Sequence, residues 1–240
     1  VDRSSIDVEA GEIRLVGEVD EQRLFGQKLR LTTTYRLKFG ASRLDVIDEV
    51  QNIGATPADL ELLYHINIGR PLLEPGAKFV APIVKLAPKT PDAAAGMATW
   101  NTYPAPKPNV PEQVFLMEMA ARPDGWTEAA VLNAASTRGM SVHAQTQQLP
   151  YFVMWKNALD DRDGYVTGLE PTINFPNPKP FEAANGRVLQ IPPGAVYRAE
   201  FAIEALPDYD SVKLARKRIE ALTAGVTPEI SDVPLPGWSS

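Results

Sequence analysis

The chain of 240 residues has no cysteine and only two histidines, His65 and His143. Disulfides, thiolate chemistry and cysteine-ligated zinc or iron–sulfur centres are therefore excluded, and so is a metal site built from histidines alone. A mixed site of histidine and carboxylates stays open, but no spacing nominates one, and neither metal nor other cofactor is expected. No run of basic residues is longer than the three at Arg216-Lys217-Arg218. Lys and Arg number 24 against 30 Asp and Glu, a formal charge of −6, which disfavours nucleic acid or an anionic membrane surface as partner. No run approaches the roughly 18 to 20 apolar residues that a membrane helix needs, and the N-terminus lacks a basic-then-apolar signal pattern. These absences suit a cytoplasmic monomer or homodimer with a small-molecule partner. Also absent are a Gly-rich phosphate loop, a Gly-x-Ser-x-Gly elbow and a His-Glu-x-x-His helix.

What is present is mostly period-2 patterning. Leu29, Leu31, Thr33, Tyr35, Leu37 and Phe39 alternate with charged or small residues, and beyond Gly40-Ala41-Ser42 the run Leu44, Val46, Asp48, Val50 keeps the period, which predicts a hairpin. Strands are also predicted for Leu60 to Ile66, carrying His65, and for Tyr165 to Leu169, ending at Glu170. Ala195 to Ala205 reads as a half-buried antiparallel strand with Arg198, Glu200 and Glu204 on its polar face. Shorter signals lie at 13–19, 114–119, 129–134, 140–144 and 151–156. Many short strands predict an all-β sandwich or barrel spanning 1–240 as a single domain, and 44% hydrophobic residues suffice for its core.

The 22 prolines cluster at 82–111 and 171–193, where they indicate loops and strand edges, and Pro104, Pro106, Pro108 and Pro111 mark a long connection that reads as a surface loop or, second to that, a lid over a cleft. One helix is predicted, Ser211 to Ala224, capped by Asp210 and stopped by Gly225. Val212, Leu214, Ile219 and Leu222 recur along it at helical spacing, with Lys213, Arg216, Lys217 and Arg218 on a solvated face. The tail at 227–240 is expected along the surface or frayed. The chain starts at Val1, and strand-like sequence follows almost at once, so a segment upstream is expected.

Chemistry concentrates in three places. Glu170 sits between an apolar strand pattern and the proline-bounded turn that runs to Asn177, and Gly168 allows close approach beside it. His65 lies inside Leu62 to Gly69. Trp155-Lys156-Asn157 ends another strand with an aromatic face, a cation and an amide, a mixture that suits sugar C–H groups and hydroxyls. Each has a plain alternative: an edge-strand glutamate paired with a basic residue, a satisfied core histidine, a core tryptophan beside a solvated lysine. Asn67 and Asn174 invite the same two readings, and His143 reads as structural.

Leu-Tyr-His-x-Asn-x-Gly at 63–69 and Gly-Leu-Glu-Pro-x-x-Asn-x-Pro-Asn at 168–177 resemble the two signature segments of the aldose 1-epimerase (galactose mutarotase) superfamily, closest to its bacterial branch. The resemblance implies a β-supersandwich with a sugar cleft on one sheet face. It implies that Glu170 takes the proton of the anomeric hydroxyl and that His65 protonates the ring oxygen. Asn67, Trp155, Lys156 and Asn174 would then lie in the cleft with these two several ångströms apart across it. Family members also carry an arginine and a histidine ahead of the segment matching His65, and no histidine precedes position 65 here. Either they lie upstream or this branch works without them. Two other readings remain: a carbohydrate-binding protein without chemistry, and another sugar enzyme on the same fold, such as a lyase or a uronate or keto-sugar isomerase, with Lys156 neutralising a substrate carboxylate.

Overall fold

A computed structural model describes residues 1–240. The strands β1 (Arg3–Asp7), β2 (Glu12–Gln22), β3 (Lys28–Lys38) and β4 (Arg43–Asn52) form an antiparallel meander that contains the predicted hairpin. Short strands β5 (Ala58–Leu60), β6 (Ile66–Ile68) and β7 (Lys78–Val80) follow, then β8 (Ile83–Pro88) and helix α1 (Pro91–Ala95). Next come β9 (Gln113–Met119), β10 (Trp126–Leu132), β11 (Gly139–Gln145), β12 (Tyr151–Asn157) and β13 (Val166–Thr172). Helix α2 (Lys179–Ala184), β14 (Leu189–Ile191), β15 (Val196–Leu206), α3 (Tyr209–Leu222) and β16 (Glu229–Ile230) complete the chain.

Two sheets carry the structure, one of eight strands in the order β1-β2-β3-β4-β15-β11-β10-β7 and one of six in the order β16-β8-β9-β12-β13-β6. Between them lies the main core, to which the six-stranded sheet sends Phe115, Met117, Phe152, Met154 and Leu169, and the eight-stranded sheet Phe79, Ala129, Val131 and Val142. Each large side chain so buried contributes on the order of 1.5–3 kcal/mol, so the alternation along each strand decides which face turns inward. The predicted all-β sandwich is therefore the observed architecture.

Three local expectations need correction. His65 is not inside a strand: residues 61–65 are irregular between β5 and β6, held by a single bridge from Leu63 to Thr172. Glu170 lies within β13 rather than at its end. Helix α3 begins two residues early, because the Asp208 side chain accepts from the amide of Ser211 and the Ser211 hydroxyl closes a capping box with it. Its buried residues are Val212, Ala215 and Ile219, packed on Ala130, Leu132 and Leu206, while Leu214 faces solvent. That packing covers part of the outer face of the eight-stranded sheet and buries Leu206 at the end of β15, while Ala205 beside it stays exposed. The tail is pinned, since β16 pairs with β8, Trp238 packs on Phe175, and Asn177 and Arg187 bind the carbonyls of Trp238 and Gly237.

Candidate active site

Register builds the site. Across β9, β12, β13 and β6, Val114, Trp155, Gly168 and Asn67 stand in one row, and Leu116, Val153 and Glu170 stand in the next row of the same face. This is the outer face of the six-stranded sheet, since Met154 and Leu169, their neighbours in sequence, point into the core. Gly168 matters here through space rather than backbone angle, since it leaves room for the ends of the Glu170 and His65 side chains. A Cβ at this position would collide with Glu170 Oε1 and lie 2.9 Å from His65 Cε1.

His65 is folded onto this face by the stretch before β6. The Leu62 amide donates to Asn174 Oδ1 at 3.2 Å, the Thr172 hydroxyl donates to the Leu62 carbonyl at 2.9 Å, and the Tyr64 amide donates to the Pro171 carbonyl at 3.1 Å. Those bonds stitch residues 61–64 to the end of β13. His65 Nε2 then lies 3.0 Å from Glu170 Oε1, with the imidazole edge-on to the Trp155 ring at 5.4 Å. The carboxyl oxygen is buried and has no aligned hydrogen bond, so the two groups touch without being bonded. The expectation of a several-ångström gap between them is thus corrected. Glu170 keeps only 4% of its side chain exposed against 44% for His65, so the imidazole is the member with room to move.

Burial pushes the Glu170 carboxyl up to about 8, and the nearby Glu112 carboxylate adds to the shift. Glu112 also accepts a hydrogen bond from Trp155 Nε1 at 2.7 Å and so fixes the indole. No motif marks Glu112 in the sequence. It closes the Pro104 to Pro111 loop just before β9, 43 residues from the tryptophan it holds.

Glu170, His65, Trp155 and Asn67 are brought together; Lys156 and Asn174 are not part of the exposed surface. Lys156 alternates with Trp155 and points inward. Its ammonium donates to the carbonyls of Thr99 and Trp100 at 2.9 and 3.3 Å, and burial lowers it to about 8. It cannot neutralise a substrate carboxylate at Glu170 from that side of the sheet. Asn174 is buried and clamps the His65 segment through Leu62 and Glu61. On the far sheet, Glu128, His143 and Glu204 are a mixed cluster whose ligand atoms lie within 4.8 Å of one another. Arg218 already donates to both carboxylates, at 2.6 and 2.7 Å to Glu128 and 2.8 Å to Glu204, so a cation there would have to displace a guanidinium. Arg218 is accordingly an ion-pair residue and not part of a solvated face.

The model of a family described as a domain of unknown function (DUF4432) matches residues 1–205. A solved structure of a candidate aldose 1-epimerase from Klebsiella pneumoniae is 33% identical, with a TM-score of 0.91 over 94% of this chain and 59% of that one. A galactose mutarotase-like protein from Clostridium acetobutylicum superposes with a TM-score of 0.59 at 14% identity, over 85% of this chain and 64% of that one. A galactose 1-epimerase from Lactobacillus acidophilus gives 0.58 at 10% identity, over 85% and 65%. The chain thus spans about three fifths of the length of these structures. None of the curated proteins matches it. No helix is long and apolar enough to cross a membrane.

Proposed function

The chain belongs to the DUF4432 family and has the galactose mutarotase-like fold, and from that premise we propose that it is an aldose 1-epimerase-like isomerase interconverting the anomers of a free sugar or sugar derivative. One observation carries the reading: a buried carboxyl and an exposed imidazole meet at 3.0 Å over a glycine, on a sheet face with an indole and an amide beside them. In the reaction, Glu170 as carboxylate takes the anomeric hydroxyl proton while His65 delivers one to the ring oxygen. The ring opens, the C1–C2 bond rotates, and reclosure on the other face of the aldehyde returns both protons. Each positioned group is worth roughly 10²–10⁴-fold, and proton transfer of this kind needs no metal or nucleotide. Trp155 offers a flat face for sugar C–H groups, and Asn67 donors and acceptors for hydroxyls. Because Glu170 is boxed in, the incoming sugar displaces His65.

The test is mutarotation followed by polarimetry or NMR over a panel of neutral sugars and uronates. Wild type should accelerate at least one sugar, and Glu170→Gln should abolish the acceleration. Equal rates for the two proteins would refute the proposal, and tight sugar binding without turnover would identify a binding protein instead.

A further inference from the structure

The outer face of the eight-stranded sheet carries a concavity of about 890 Å³, under the C-terminal end of α3 and on the opposite side of the sandwich from Glu170. Its size is that of a small-molecule site. Register again sets its chemistry, because Arg36, Asp45, Ala202, His143 and Glu128 are successive partners across β3, β4, β15, β11 and β10. The next row on the same face brings Arg43 and Glu204 together.

Four guanidinium groups line the pocket, and three of them are already paired. Arg43 binds Asp45 at 2.8 Å and lies over the Trp126 ring at 5.7 Å, Arg122 forms a fork with Asp124, and Arg218 holds Glu128 and Glu204. Arg36 is different: it makes no ion pair, and its Nε is buried with no hydrogen-bond partner. A buried donor left unsatisfied is unfavourable, and more so when it carries charge. An oxyanion accepting from the Arg36 fork would remove that cost. The same pocket is lined by Trp126, Pro123, Ala121 and Leu222, a wall for an apolar or ring-shaped body.

We propose that this pocket is a second ligand site, one that takes a small organic oxyanion, with Arg36 binding the anionic group and Trp126 flanking the attached ring. Guanidinium forks match phosphate and carboxylate geometry in two parallel bonds, whereas an ammonium is a point charge. The site is independent of the proton chemistry at Glu170 because the whole sandwich separates the two faces.

Calorimetric titration with phenyl phosphate, with inorganic phosphate as the bare group, tests the assignment. Phenyl phosphate should bind at one site and more tightly than inorganic phosphate. Arg36→Met should weaken it at least tenfold with unchanged circular dichroism, and Arg36→Lys should fall between. Glu170→Gln should leave the affinity as it is. The proposal is overturned if phenyl phosphate does not bind, if Arg36→Met binds it as wild type does, or if Glu170→Gln abolishes binding, which would place the ligand on the other face.

Discussion

His65 Nε2 and Glu170 Oε1 are in contact at 3.0 Å, yet the carboxyl oxygen accepts no hydrogen bond. A buried carboxyl in this position holds its proton to unusually high pH, and the imidazole beside it is free to leave. The resting pair is therefore poised to be separated by a ligand whose own hydroxyl supplies the missing partner.

Glu170→Gln keeps the shape of the side chain and removes its basicity. The turnover number for mutarotation should fall by about 10²–10⁴-fold, the range for a positioned proton-transfer group. The melting temperature should not fall, because a neutral amide is easier to bury than a carboxylate.

The same carboxyl sets a pH dependence. With Glu170 pushed up to about 8 in the folded chain against an ordinary 4.5, only about a tenth is ionised at pH 7. Because the reaction also needs a proton on His65, kcat/KM should be bell-shaped with pH, and one of its limbs should fall near 8 through Glu170. A profile with no limb near 8 would remove Glu170 from the base role.

Stability runs the opposite way. A folded carboxyl raised above its unfolded value binds protons more tightly when folded, so its contribution is complete below about 4.5 and is lost as pH climbs through about 8. Denaturant titrations should show wild type losing up to a few kcal/mol relative to Glu170→Gln between pH 5 and pH 8. Parallel curves for the two proteins would show that the folded carboxyl titrates normally.

Gly168→Ala places a methyl group against Glu170 Oε1 and His65 Cε1. Overpacking of this kind costs about 1–3 kcal/mol, and here the atoms that must yield belong to the proposed acid/base pair. Activity should drop at least tenfold, and kcat should suffer more than KM for the sugar. An alanine variant with wild-type kcat would show that the close approach is dispensable.

Lys156→Met separates two roles for the lysine. Buried against the Thr99 and Trp100 carbonyls, it should affect stability alone, with kcat/KM for neutral and acidic sugars within about twofold of wild type, the change expected when a residue contacts neither substrate nor reacting atoms. A loss confined to uronates would contradict its inward placement.

Strand patterning was legible wherever one face is buried, as in the β3–β4 hairpin and β15, because burial imposes period 2. Strand parity also decides Lys156: with Trp155 on the outer face of the sheet, it has to face the other way. The pattern places the cap of α3 at Asp210, but Asp208 takes that role, because Ser211 closes a box with it. Leu60 to Ile66 reads as a strand because apolar residues dominate it around Glu61 and His65, and nothing local reveals that Thr172 and Asn174, over 100 residues away, pull that stretch out of the ladder. Glu112 and Arg218 were invisible for the same reason, since their partners lie 43 and 90 residues distant.

The pairing of Trp155, Gly168 and Asn67 in one row carries a consequence for how this surface can change. A shift of β13 by one residue would turn Glu170 inward and expose Leu169, so the chemistry and the core are lost together. Insertions inside these strands should therefore be lethal to the fold, whereas the side chains of the outer row are free to vary without disturbing the interior. Specificity on this scaffold can drift by substitution at fixed register, at positions such as Val114 and Asn67, while Gly168 and Glu170 stay where they are.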